Sequence, residues 1–161
     1  MITLRSIDDT NRDELLALRV APSQESFVSS VADSLREAEE EPGARAIAWG
    51  VYEHETPVGF VMIADEVDDP DYIPQYLWKL LIHERYQRRG HGTATLDLIV
   101  AYFRGRPGVR EVRTSAGQGD GSPIPFYERY GFARTGEVRF DEVMLRLDLD
   151  AHHSPVTAPS A

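Results

Sequence analysis

The sequence predicts a mixed α/β domain, with a central, mostly antiparallel sheet of six or seven strands and helices on both faces. Two patterns predict it. Residues 46–52 with 58–65, and again 133–137 with 142–148, are paired short runs separated by turn residues, which read as hairpins. Between the hairpins, an apolar run of strand length at 77–82 leads through a glycine-spaced loop into helical spacing at 93–103, then into a further strand at 109–115. That is one strand–helix–strand crossover set among antiparallel pairs. At 161 residues the chain makes one domain, over 1–149, large enough for a core without the disulfides that its lack of cysteine rules out.

Each element has a local reason. Residues 2–6 alternate and form an edge strand. Asp8, Asp9 and Thr10 offer N-caps for a helix through Leu15, Leu16, Leu18 and Val20, stopped by Pro22. Ser23 caps a second helix over 24–40, with Phe27, Val31 and Leu35 on one face. Glu37, Glu39, Glu40 and Glu41 place the wrong sign at its C-terminus, so it frays there. Residues 65–71 form an acidic hydrated turn before the central strand. The helix at 93–103 ends at Gly105 and Pro107, and 117–121 is a flexible connection. Pro123 and Pro125 shorten the helix that carries Tyr127 to its last turns. From 150 to 161 the chain has nothing to bury and reads as a disordered tail, where His152 and His153 make at most a weak adventitious metal site.

The loop from Gln87 to Gly92 carries the first chemistry. A helix that starts right after it turns unsatisfied N–H groups and a positive dipole end toward the loop. Gly90 and Gly92 permit close backbone approach, and Arg85, Arg88 and Arg89 add positive charge, so the loop reads as a pyrophosphate cradle. It is not a nucleotide P-loop, because no Gly-Lys-Ser/Thr follows. It is not a dinucleotide fingerprint either, because Thr95 stands where the third glycine belongs.

Two motifs in order carry a resemblance. Gln87-Arg88-Arg89-Gly90-His91-Gly92 matches the Gln/Arg-x-x-Gly-x-Gly/Ala loop of the GCN5-related N-acetyltransferases (GNAT), and Phe126-Tyr127-x-x-x-Gly131-Phe132 matches that superfamily's closing helix and strand. The resemblance spans residues 2 to about 149. Its opening (Gln24-Glu25-Ser26-Phe27-Val28) and its ending (Gly136-Glu137 and Val143-Met144-Leu145-Arg146-Leu147) look most like the bacterial diamine and polyamine branch.

The resemblance implies acetyl-CoA as cofactor and a sheet splayed in the middle. Gln87, Arg88, Arg89, Gly90, His91, Gly92 and Thr93 would hold the pyrophosphate. The backbone of Leu80, Leu81 and Ile82 would take the pantetheine arm like an added strand and supply the oxyanion donor. Tyr127 corresponds to the general acid that protonates the departing thiolate. The N-terminal helical pair lies over the acceptor in this superfamily, which makes Glu25, Phe27 and Ser30 substrate-side candidates, Glu25 the catalytic one. The chain departs from the pattern at Asp120 and Pro123, where many members carry Asn and Ala; Ser122 is the expected substitute for the lost contact with the coenzyme A arm.

An amine acceptor also needs a base. Glu25, Glu53, Asp65 and Glu66, with His83 and His91, are the titratable candidates, and the sequence does not choose among them. His91 is expected to face solvent and His83 to pack. The formal net charge of −10 argues against nucleic acid and suits a cationic acceptor. The absence of cysteine excludes a cysteinyl acyl-enzyme. The resemblance implies that the amine attacks directly in a ternary complex. No stretch has membrane-spanning length, and the expectation is a soluble cytoplasmic enzyme with no membrane partner. The leading function is acetyl transfer to a primary amine of a polyamine or diamine. An amine-bearing antibiotic or metabolite comes second, and a non-catalytic acyl-CoA-binding module is disfavoured by Tyr127. Homodimerisation is common among the members it resembles but is not fixed by this sequence; if the chain pairs, the last strand hairpin is the expected contact.

Overall fold

A computed structural model describes residues 1–65 and 73–151. The acidic segment 66–72, with Glu66, and the tail from 152 onward lie outside the described residues. The chain runs β1 (Ile2–Ser6), α1 (Arg12–Leu16), α2 (Val31–Glu40), β2 (Ala46–Glu53), β3 (Thr56–Ala64), β4 (Tyr76–Ile82), α3 (His91–Arg104), β5 (Glu111–Ala116), α4 (Ile124–Tyr130), β6 (Ala133–Arg139) and β7 (Glu142–Asp148). Seven strands form one sheet in the order β1-β2-β3-β4-β5-β7-β6. β1 is an edge strand as expected, and β6 is the other edge.

Alternation on β3 shows how the sheet separates two cores. Phe60 and Met62 face α1 and α2, where they meet Leu15, Val31 and Leu81. Val61 and Ile63 face α3 and α4, with Trp49, Leu77, Ile99, Phe103 and Tyr127. Side chains such as Leu15, Phe60, Phe103 and Leu145 are buried to 1% exposure or less, each worth about 2 kcal/mol of transfer energy.

All strand pairs are antiparallel except β4–β5, which is parallel and registers only at Tyr76 with Arg113. Beyond that junction the two strands part. One edge of β4 from Lys79 to Ile82 therefore has no strand partner among the described residues, while the other edge stays paired to β3 through Gly59, Phe60, Val61 and Met62.

The N-terminal helices are shorter than the periodicity predicts. α1 stops at Leu16 because the backbone of Arg19 is used elsewhere: its N–H donates to His83 Nδ1 at 2.8 Å and its carbonyl accepts from Glu84 N at 2.7 Å. Leu18 and Val20 are still buried, as the apolar pattern required, but from a non-helical segment. α2 begins at Val31 rather than near Gln24. Ser30 is its cap, accepting from Asp33 N at 3.1 Å, and Pro22–Gln24 is a separate single turn of 3₁₀ helix. The acidic end of α2 does not fray: Glu41 N still donates to Glu37 O at 3.0 Å, and Arg36 pairs with Glu40 at 3.6 Å.

Candidate functional site

The fork between β4 and β5 opens into a cavity of about 770 Å³, lined from β4, the loop 86–93, α3, α4 and the segment 20–28. The loop is shaped by backbone. Gly90, the residue before α3, has φ 83°, a left-handed conformation that a Cβ disfavours, and Arg88 is left-handed too, at φ 62°. These turns start a 14-residue helix whose first residues, His91, Gly92 and Thr93, line the cavity, at the end where a helix leaves N–H groups unsatisfied. Gly92 has a different reason to be glycine. A Cβ there would stand 3.0 Å from the Phe126 ring, so its absence lets α4 close against the first turn of α3.

Gln87 ties the cavity wall together. Its Nε2 donates to the Ile82 carbonyl at 2.9 Å and to Gln24 Oε1 at 2.7 Å, while Gln24 Nε2 returns a bond to Gln87 Oε1 at 3.2 Å. Arg88 and Arg129 line the cavity and Arg85 stands exposed nearby; none has an ion-pair partner among the described residues. Arg89 lies 5.6 Å over the Tyr86 ring instead of lining the cavity. Unpaired cations beside a helix N-terminus hold an anion. Thr93, in the first turn of α3, completes that rim.

Leu80 and Ile82 line the cavity, whereas the Leu81 side chain turns to the other core. Only the Leu81 backbone is available to the fork. Tyr127 also lines the cavity although it is just 5% exposed, between the Phe126 and Phe132 rings. Burial pushes its phenol far up, the neighbouring Thr114 hydroxyl pulls it down, and Tyr76 and Glu142 push it further up. It is a fully protonated donor at neutral pH. Tyr130 is committed elsewhere, donating to Asp97 at 2.7 Å.

Several expected roles move. Glu25 is exposed and is not part of the cavity wall; its neighbours Gln24, Phe27 and Val28 are. The turn that swings Gln24 inward to Gln87 leaves Glu25 pointing at solvent. His91 does not face solvent. It is 7% exposed, with Nε2 3.3 Å from Glu53 Oε2. Asp65 is buried far along α3, accepting from the Tyr102 hydroxyl at 2.9 Å and facing Arg106 Nε at 3.3 Å. Ser30 is a helix cap. Ser122 lines the cavity, but its hydroxyl donates to the Gly117 carbonyl and accepts from Ile124 N at 3.2 Å, bracing α4. The glycines at 117, 119 and 121 are not a slack tether; all three lie against the Phe27 ring, with Gly121 left-handed at φ 89°.

Sequence reasoning missed Gln24, Arg129 and Tyr86. Arg129 could have been found, two residues past Tyr127 in the same motif. Gln24 could not, because its partner is 63 positions away.

A family profile described as Acetyltransferase (GNAT) matches residues 12–132, most of the chain. The chain belongs to the GNAT acetyltransferase family. It is 27% identical over 150 residues to the spermine/spermidine N(1)-acetyltransferase of Bacillus subtilis, covering 90% of this chain and 97% of that relative. Among solved structures, an acetyltransferase from Thermus thermophilus superposes with a TM-score of 0.69 at 20% identity, covering 92% of this chain and 97% of the other. A Bacillus subtilis acetyltransferase in complex with CoA superposes at 0.64 with 16% identity, over 91% and 97%. GNAT enzymes use acetyl-CoA, and the site fits it. The unpaired β4 edge, the Gly90 turn and the unpaired cations are what a molecule with an amide-bearing arm and a pyrophosphate requires. No helix among the described residues is long and apolar enough to cross a membrane.

Proposed function

We propose that this GNAT enzyme transfers an acetyl group from acetyl-CoA to a primary amine of a small cationic acceptor, a diamine or polyamine. The observation that carries the reading is the fork: an unpaired β4 edge with a buried, protonated tyrosine beside it. Arg88 and Arg129, with the α3 N-terminus, bind the pyrophosphate. Backbone of Leu80, Leu81 and Ile82 binds the arm and directs an N–H at the thioester carbonyl oxygen. Acetyl-CoA supplies the acyl group already activated as a thioester. Tyr127 holds the proton that the sulfur needs on leaving, and Phe126, Phe132 and Tyr130 keep water from it. The polyamine choice is supported by the relative named above and by the net charge of −10, which concentrates cations near the surface.

The test is release of coenzyme A from acetyl-CoA, read with a thiol dye that finds no cysteine in the chain. The acceptors are spermidine, putrescine, an aminoglycoside and an N-terminal peptide. Spermidine or putrescine should be turned over best, and Tyr127→Phe should lower kcat by about 100-fold or more. Turnover of the peptide alone would contradict the acceptor class. Full activity in Tyr127→Phe would remove the tyrosine from the chemistry.

A further inference from the structure

Two groups of hydroxyls meet where β4 and β5 part, one on each face of the sheet. Side chains on β5 alternate: Val112, Thr114 and Ala116 are buried on the α3/α4 side, and Arg113 and Ser115 face the other way. Thr114 stands beside Tyr127 and donates to the Leu77 carbonyl at 2.9 Å. On the opposite face Ser115 is hydrogen-bonded to the Tyr76 hydroxyl and donates to Glu142 Oε2 at 3.4 Å. Tyr76 is seated beside Ala44 and Ala64, on the side covered by α2. With Ser115 donating to the carboxylate, Tyr76 donates to Ser115, and the chain of hydroxyls ends on Glu142. Burial is what chiefly raises the Tyr127 phenol, and Tyr76 and Glu142, across the sheet, add to it.

Glu142 is half-buried, and among the described residues no cation contacts its carboxylate. The cations that face it are held by other acids. Arg139, across from it on β6, is bound by Glu137 at 2.6 Å. Arg113 and Arg146, further along the same face, share Glu111 at 3.3 and 2.7 Å. Lys79 on β4 is bound by Glu37 at 2.8 Å and by Ser29 at 2.8 Å. A half-buried carboxylate left without a counter-ion is suited to an incoming one. Burial pushes the Tyr76 phenol up to about 12, so it stays a neutral donor at neutral pH.

Resting on the reading above, we infer that Glu142, Ser115 and Tyr76 are the acceptor site, and that Glu142 receives the substrate's primary ammonium group and removes its proton. One proton passes from R–NH₃⁺ to the Glu142 carboxylate, directly or by relay through Tyr76 and Ser115. The freed lone pair forms the C–N bond at the acetyl carbon, and the C–S bond breaks with its electron pair going to sulfur. Tyr127 gives sulfur its proton and regains one from the second N–H. The proton on Glu142 goes to solvent, so each turnover converts an ammonium and a thioester into an amide, a thiol and one free proton. Acyl donor and amine thus reach the fork from opposite faces of the sheet.

The experiment compares the unaltered chain with Glu142→Gln, Glu142→Asp and Ser115→Ala. Spermidine and putrescine are the amines, and kcat/KM is followed as pH is raised from neutral toward the amine pKa of about 10. Glu142→Gln should lose about 100-fold in kcat/KM at neutral pH and recover as the free amine becomes abundant in solution. Glu142→Asp should restore part of the loss, and Ser115→Ala should show a smaller version of the same pH-dependent deficit. Calorimetry supplies a second readout: acetyl-CoA should bind Glu142→Gln as it binds the unaltered chain, while spermidine added to the CoA-saturated variant should bind weakly. A Glu142→Gln profile that matches the unaltered chain, or a loss equal at every pH, overturns this assignment alone. An unaltered chain that turns over neither amine overturns the proposed function and this assignment with it.

Discussion

The two faces of the β4–β5 fork are built by different means. On the α3/α4 side the loop that cradles the phosphates is contiguous in sequence: the residues from Ile82 to Thr93 run from strand through left-handed Gly90 into a helix, and Tyr127 and Arg129 join them from α4. On the other side Tyr76, Ser115 and Glu142 come from three strands and are single side chains. A site made of backbone constrains glycines and helix starts, which leave a readable pattern. A site made of side chains that meet only through sheet register leaves none. The first face suits a cofactor common to a family, and the second can be altered one residue at a time to change the acceptor.

Gly92→Val should break the cofactor face most severely. A side chain at Gly92 meets Phe126, and overpacking of this kind costs about 1–3 kcal/mol. The thermal midpoint should fall, and because the α3 N-terminus shifts, acetyl-CoA affinity measured by calorimetry should fall by about tenfold with it, equivalent to about 1.4 kcal/mol. Arg88→Ala should be milder. The exposed guanidinium has no ion-pair partner among the described residues, so stability should hold while acetyl-CoA affinity drops several-fold, and the deficit should narrow in high salt. Glu25→Gln should be the smallest. An exposed carboxylate outside the cavity should leave kcat/KM within about twofold, in contrast to Glu142→Gln. A large Glu25 effect would move the acceptor to the N-terminal segment.

Legibility follows the same division. The strands, the crossover and the short Tyr127 helix could be read because alternation, glycine spacing and proline placement are local signals. The splay was available only through resemblance, since nothing in 77–82 or 109–115 says that pairing stops after Tyr76 and Arg113. The lengths of α1 and α2 were misread because periodicity ignores competition for backbone and side chains: His83 claims Arg19, and the glycines at 117–121 claim Phe27. Glu25 is a candidate by its place in the chain, whereas the side chain that turns inward is its neighbour Gln24, drawn by Gln87. Asp65 and His91 are candidate bases by residue type alone, among others; in the structure both are buried, Asp65 against Tyr102 and His91 beside Glu53.

Amide hydrogen exchange with and without coenzyme A tests the central claim, that the cofactor enters the fork as an added strand against β4. Peptides covering 79–82 and 90–93 should exchange more slowly when coenzyme A is present, and those covering the fully paired β2 should not change. Slowing at 90–93 without slowing at 79–82 would mean that the loop binds phosphate but the fork does not take the arm. Slowing at neither would contradict the cofactor site as a whole.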